Sequence, residues 1–296
     1  MKRILGIAMV LGLVGALTVM IGCSKAKEEP ATGNLLVAPF TEAKAKEVQK
    51  DVAKSLKKEV EEKEDLGKDV KLEMVLIPAG KFVMGSPASE KGRLDDESQH
   101  KVTLTKPFYL GKYEVTQEQW EFVMGDNPSQ TKDSKLPVTG VTWNDCQEFI
   151  KKLNAKTNGG YRFPTEAEWE YACRAGTTTA YSFGDKITLK DANIDGDVGV
   201  DGLPAGSIKS VGSYNPNAFG LYDMHGNMCE WCEDWYDYDY PARTGIDPKG
   251  PATGEIRVLR GGGFLGDVPT ARSSNRAGFL PSSGSGIVGF RLARTP

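Results

Sequence analysis

The spacing of apolar positions changes from one segment of the chain to the next. Residues 4–21 form a nearly unbroken apolar run, interrupted by Gly6, Gly12 and Gly15, between Lys2-Arg3 and Gly22-Cys23. Residues 24–40 are small and polar, contain proline, and show no period. Over 41–66, Val48, Val52, Leu56 and Val60 recur at every fourth position among Ala, Lys and Glu. That narrow stripe predicts a solvated helix, a stalk spanning 41–70. From Lys71 the texture changes. "LEMVLIPAGKFVMGS" reads as two strands around a turn at Pro78-Ala79-Gly80, and "HKVTLTKPFYLGKYEVT" as a second pair.

Helical periods with capping residues follow. Thr116 precedes "QEQWEFVM" and Gly125 closes it. Thr142 or Asn144 opens a helix whose Trp143, Cys146, Phe149, Ile150 and Leu153 share one face. Thr165 with Glu168 forms a capping box ahead of "EAEWEYACRAG". After residue 176 the helical period disappears, and 177–296 reads as loops, turns and short strands. The expected fold class is α+β: helices early, an irregular second half, one domain over 71–296.

Composition narrows the function classes. With 37 Lys+Arg against 40 Asp+Glu the net charge is −3, and removal of Lys2 and Arg3 with the first 22 residues leaves 35 against 40, or −5. Nucleic acid is a poor partner for that balance. Only His100 and His225 are available for histidine-based metal sites or triads. Lys2-Arg3, the apolar run and Met20-Ile21-Gly22-Cys23 form a secretory signal over 1–22 that resembles a bacterial lipobox. Cys23 is then the lipidated residue, 23–40 the tether, and the membrane is reached through the lipid alone. The expected location is exported and lipid-anchored, at the outer membrane or cell surface. Cys146, Cys173, Cys229 and Cys232 remain. Nothing in the sequence pairs them, and Cys229-x-x-Cys232 lacks the second pair a zinc site needs, so buried thiols are expected. No nucleotide-binding fingerprint or hydrolase nucleophile motif occurs. The run "EWCEDWYDYDY" offers Glu233, Asp234, Asp237 and Asp239, whose plainer expectation is a solvated, aromatic-walled surface rather than a glycosidase pair.

Seven segments, "MVLIPAGKFVMGS", "YEVTQEQW", "PVTGVTWND", "RFPTEAEWEYACRAG", "NAFGLYDMHGNMCEW", "RVLRGG" and "GFRLA", resemble the formylglycine-generating-enzyme (sulfatase-modifying factor) family, in family order across 74–293. The resemblance implies a C-type-lectin-like fold with little regular secondary structure. It also implies two copper-binding cysteines between "RGG" and "GFR" in the enzymes, yet residues 261–289 contain no Cys. A serine hydroxyl does not replace a thiolate for Cu(I), so no catalysis and no catalytic cofactor are expected. Structural Ca²⁺ is implied at two loops: Asn193, Ile194, Asp201 and Leu203, and Asp223, Gly226, Met228 and Glu230.

The chain ends in a patterned frame around a patternless filling. One branch of the family, the treponemal variable proteins, consists of lipoproteins whose last segment is rewritten by a diversity-generating retroelement. Residues 257–296 resemble that segment. The implied fixed skeleton is Arg257–Gly262, Ala271-Arg272-Ser273, Asn275-Arg276, Pro281 and Gly289–Arg294. The implied variable, ligand-binding positions are Phe264, Leu265, Gly266, Asp267, Pro269, Thr270, Ala277, Gly278, Phe279, Leu280, Ser282, Ser283, Ser285, Gly286 and Val288. The partner expected for such a broad surface is a protein or cell-surface ligand. The rival readings are a non-variable envelope scaffold and a sulfatase-modifying-type oxidase.

Overall fold

The computed structural model describes residues 35–195, 206–238 and 245–296. A two-residue strand, β1 (Leu36–Val37), leads into helix α1 (Glu42–Leu56), capped by Thr41. Strands β2 (Glu61–Gly67), β3 (Val70–Ile77), β4 (Gly80–Met84), β5 (His100–Leu104) and β6 (Phe108–Gly111) follow. Helices α2 (Gln117–Met124) and α3 (Trp143–Lys156), strand β7 (Tyr161–Arg162) and helix α4 (Glu166–Arg174) come next. Thr116, Thr142 and Thr165 each cap a helix through a reciprocal box, with Gln119, Asp145 and Glu168. Each box satisfies two otherwise orphaned backbone donors. Beyond α4 come β8 (Cys229–Trp235), β9 (Gly245–Ile246), β10 (Arg257–Arg260), a 3-10 turn (Val268–Ala271), β11 (Ala277–Phe279), β12 (Val288–Gly289) and β13 (Ala293–Arg294).

The sequence neighbours β3 and β4 do not pair with each other. β3 pairs with β6 and β4 with β5, both antiparallel, so the turn at 78–79 carries the chain between two sheets. The sheet orders are β1-β4-β5-β9, β2-β3-β6-β13-β7 and β11-β10-β8-β12. The last forty residues therefore supply strands to two of the three sheets among the described residues. They are woven into the body rather than appended to it.

The segment expected as a stalk over 41–70 is corrected by the structure. Only 42–56 is helical, and α1 lies on the body with Ala45, Val48, Gln49 and Ala53 buried. Gln49 Nε2 donates to the carbonyls of Leu76 and Phe219, at 2.9 and 3.0 Å. Lys57, in the left-handed region at φ 56°, ends the helix, and Leu56 is left exposed. The Glu/Lys-rich 61–67 pairs antiparallel with β3 instead. Its charges suit a sheet edge, where they discourage pairing with another chain, and that pairing overrides helix propensity.

Phe290, from the closing "GFR", shows how deeply the C-terminal segment is set. It meets Trp120, Phe149 and Phe163 edge-on at 6.1, 5.4 and 5.9 Å, while Trp120 and Phe149 stack at 5.2 Å.

Candidate functional site

Between 257 and 296 there are six arginines, no lysine and one acidic residue, Asp267. Five of the arginines are buried and the sixth, Arg257, is half-buried. Arg260 pairs with Glu170 and approaches Glu166 at 3.6 Å. Arg272 holds Glu97 in a two-pronged pair, 2.6 and 2.7 Å, and also reaches Glu90 at 2.7 Å. Arg276 grips Glu166 at 2.6 and 3.0 Å. Arg291 grips Glu230 at 2.6 and 2.5 Å and donates to the carbonyls of Gly111 and Tyr222. Arg294 pairs with Glu62. Arg257 sits between the rings of Trp143 and Trp235, 3.9 and 3.5 Å from their centroids.

These partners come from β2, the loop after β4, α4 and β8, so the arginines tie the end of the chain to four distant parts of the body. The guanidinium fork suits such bidentate pairs as an ammonium does not. The neighbouring carboxylates raise the pKa of Arg291 and Arg260 against the opposing effect of burial. Glu97 is held below its usual range by Arg272 although burial pushes it up. Gly261 and Gly262, both at positive φ, turn the chain out of β10, and a Cβ on Gly262 would lie 2.8 Å from the Thr270 carbonyl oxygen.

Between the anchors the pattern reverses. Of the fifteen sequence-predicted ligand positions, Phe264, Leu265, Gly266, Asp267, Pro269, Thr270, Ala277, Gly278, Phe279, Leu280, Ser282, Ser283, Ser285 and Gly286 are exposed or half-buried. Leu265 and Leu280 keep 52% and 51% of their surface exposed. Val288 departs from the expectation. It is 3% exposed, paired with Cys229 in β12 and packed in the core.

Backbone hydrogen bonds hold these loops, and of their side chains Thr270 Oγ1 donates to Asp267 O at 2.7 Å and Ser285 Oγ accepts from Ile287 N at 3.5 Å. Phe264 N donates to Asn227 O, Asp195 N to Gly266 O, Asn144 N to Pro281 O and Gly140 N to Ser285 O, all within 2.9–3.2 Å. The tolerance of single positions is unequal. A side chain added at Gly286 meets nothing within 4 Å, whereas one at Gly278 lies 2.5 Å from Ile256 Cδ1.

The structure groups these positions only partly. Phe264, Leu265, Ser285 and Gly286 line one depression of about 380 Å³ together with Ile208 and Ile287, and no charged side chain lines it. Pro269 and Val268 border another, of about 500 Å³, with Tyr181, Ile187 and Glu90. Ala277, Gly278 and Phe279 form the outer strand of their sheet, with Phe279 6.2 Å from Trp231.

The cysteines and His225 are held in buried or half-buried surroundings. Cys146, Cys173, Cys229 and Cys232 are free thiols, and burial pushes Cys173 and Cys229 up to about 12. His225 stands 3.7 Å from Cys173 Sγ, but burial pushes it down to about 4. Its Nδ1 lies 2.8 Å from the Ala271 carbonyl and its Nε2 accepts from Ser182 N. A neutral imidazole with both nitrogens engaged does not activate that thiol. The surface expected at 230–240 is corrected for β8, while Asp239 lies outside the described residues. β8 is an inner strand in which Glu230, Trp231, Cys232 and Asp234 are buried. Asp234 Oδ2 accepts from Glu166 N at the start of α4, at 2.8 Å, and burial with the nearby Glu166 charge pushes its carboxyl up to about 8.

As folded here, the second predicted calcium set does not suit a hard cation. Both oxygens of Glu230 are engaged, by Arg291 and by Trp169 Nε1 at 2.7 Å, and Gly226 O accepts from Met228 N. Met228 itself is buried, and Asp223 Oδ2 accepts from Gly212 N at 2.6 Å. Of the first set, Asn193 and Ile194 are buried beside the Gly226 loop, while Asp201 and Leu203 lie outside the described residues, as does Cys23. Among the described residues no group of three or more His, Cys, Asp or Glu side chains is arranged to hold a metal ion.

The sequence did not single out the arginines' acidic partners, except Glu230, which it offered as a calcium ligand and which instead holds Arg291. Their signal is a run of six arginines without compensating acids in the last forty residues, against Glu90, Asp96, Glu97, Glu166 and Glu170 earlier in the chain.

Comparison with known proteins agrees with this architecture. The family profile described as "Sulfatase-modifying factor enzyme 1-like domain" matches residues 61–296. The formylglycine-generating enzyme of Thermomonospora curvata is 31% identical over 75% of this chain and 93% of its own. The serine/threonine-protein kinase pkn1 of Chlamydia pneumoniae is 34% identical over 80% of this chain, which spans only 40% of that protein's length. Among solved structures, Treponema denticola variable protein 1 superposes with a TM-score of 0.69 at 28% identity, covering 80% of this chain and 100% of its own. An α+β body with few helices, three small sheets and a long irregular second half is the C-type-lectin-like architecture expected of such relatives. The chain belongs to the formylglycine-generating-enzyme, or sulfatase-modifying-factor, family.

Proposed function

We propose that this protein is a lipid-anchored, surface-displayed binding protein whose C-terminal segment presents a diversified ligand surface and performs no catalysis. The observation that carries the reading is the division of residues 257–296. Five of the six arginines, the Gly261–Gly263 turn, the 271–276 stretch and the closing 288–294 are buried, while 264–270 and 277–287 reach solvent on loops pinned through their backbone. A scaffold of that kind lets side chains change without unfolding the domain, as antibody loops do. The absence of cysteine from 261–289 supports the non-catalytic half, because a copper-thiolate centre in that segment has no ligands. The uncharged depression at Phe264 and Leu265 favours a neutral, apolar anchor side chain on a protein ligand.

Two measurements test this. Incubation with copper and a cysteine-containing peptide should produce no aldehyde by mass spectrometry; turnover would restore the oxidase reading. Binding of the purified protein to host cells or an extracellular-matrix array should fall at least tenfold in Phe264→Ser/Leu265→Ser with the fold intact by circular dichroism. Undiminished binding by that variant would remove the ligand surface from this segment.

A further inference from the structure

The outward face of the sheet β1-β4-β5-β9 has no covering element among the described residues, and its composition is selective. One row crosses all four strands: Val37 is registered with Lys81, Lys81 with Thr103, and Thr103 with Ile246. The next row pairs Val83 with Lys101. The opposite face, with Leu36, Phe82, Met84, Val102 and Leu104, is core. On the outward face Ile246 keeps 73% of its surface, Val37 57% and Val83 41%, and both lysines are exposed. Among the described residues neither lysine has a carboxylate partner, and the acidic group at the rim, Asp247, is turned onto Thr105 N and Oγ1 at 2.7 and 2.5 Å. Three β-branched apolar side chains interleaved with two unpaired lysines are anomalous in a chain of net charge −3.

Where the chain enters this sheet points to what covers the face. β1 is the first described strand, and only residues 24–34 separate Leu35 from Cys23. Eleven residues span at most roughly 40 Å when fully extended. If Cys23 is acylated, this sheet enters the chain within that distance of the bilayer. Lysines at an anionic lipid surface each strengthen binding roughly fivefold, and the apolar side chains can enter the headgroup region. A tethered domain needs only a weak surface, because the anchor supplies the effective concentration.

We infer that the face formed by Val37, Lys81, Val83, Lys101 and Ile246 is a membrane-docking surface that seats the domain on the anionic lipids beside its own anchor. The inference extends the lipid-anchor reading, but the face can be assayed without the acyl chain, so failure of one is distinguishable from failure of the other. Residues 33–296 form one compact unit containing every described element, which permits work with that unit alone.

The test is co-sedimentation of unacylated 33–296 with vesicles of phosphatidylglycerol and phosphatidylcholine, against pure phosphatidylcholine, at low and high salt. The expected result is binding to the anionic vesicles only, reversed by salt. Lys81→Glu/Lys101→Glu should weaken it at least tenfold, and Ile246→Ser should weaken it severalfold, with unchanged melting temperatures. Equal binding to both vesicle types, no binding to either, or full binding by the lysine variant would overturn the assignment. So would a concentration-dependent dimer broken by the same substitutions, which would give the face to a second copy of the chain.

Discussion

Arg291 illustrates what a single residue does here. Its guanidinium meets both oxygens of Glu230 and two backbone carbonyls in a site closed to water. Removing one member of a buried pair leaves the other charge desolvated and uncompensated, at a cost of about 3–5 kcal/mol. Arg291→Met should therefore lower unfolding free energy by about that amount in a urea titration, and Arg272→Met should behave similarly; a change under about 1 kcal/mol would mean the pairs do not anchor the segment. Asp234 makes the opposite case. Its carboxyl is raised to about 8 by burial and by the Glu166 charge, so the folded state holds a proton that the unfolded chain releases near pH 4. The contribution is complete below pH 4 and is lost as pH rises towards 8, at about 1.4 kcal/mol per unit. Asp234→Asn, which mimics the protonated form, should flatten the fall in melting temperature between pH 5 and 8. An unaltered pH profile would show that Asp234 is ionised in the folded protein.

Elements differed in how plainly the sequence announced them. The capping threonines Thr116, Thr142 and Thr165 and the five-residue face of α3 were legible, because caps and apolar period are local. The strands at 70–84 and 100–111 were legible as strands, but their partners were not, since β3 with β6 and β4 with β5 is a choice made by packing. The stalk failed for the same reason. A stripe of Val48, Val52, Leu56 and Val60 fits a solvated helix as well as a docked one, and only the body shows that Gln49 is buried between two carbonyls. Val48→Asp should accordingly destabilise the domain by at least about 2 kcal/mol, where a free stalk would not register it. In the C-terminal segment the anchoring arginines were legible as a frame and their acidic partners were not, because these ion pairs reach across 61 to 232 residues of sequence. Val288 was misplaced among the surface positions because its strand pairing is tertiary. Gly286→Trp should leave stability within about 0.5 kcal/mol of the parent, while Val288→Asp should fail to fold or lose several kcal/mol. Comparable thermal melts for the two variants would contradict the division between anchor and filling.

At the scale of the whole molecule, the chain retains its family's architecture, and residues 261–289 contain no cysteine. Residues 257–296 supply four strands to two sheets and are held by arginine pairs, so the proposed function asks side-chain change only of the exposed loop positions between those anchors. The proposed function holds that these loop positions do differ between clones. The most direct test is to sequence the codons for 257–296 across many independent clones, together with the DNA just downstream of the gene. The expected result is a near-copy of these codons whose differences fall chiefly at adenines. Substitutions should also concentrate at 264–270 and 277–286, with Arg257, Arg260, Arg272, Arg276, Arg291 and Arg294 unchanged. Absence of any such copy in the genome, or substitutions spread evenly over anchors and loops, would contradict the proposed function.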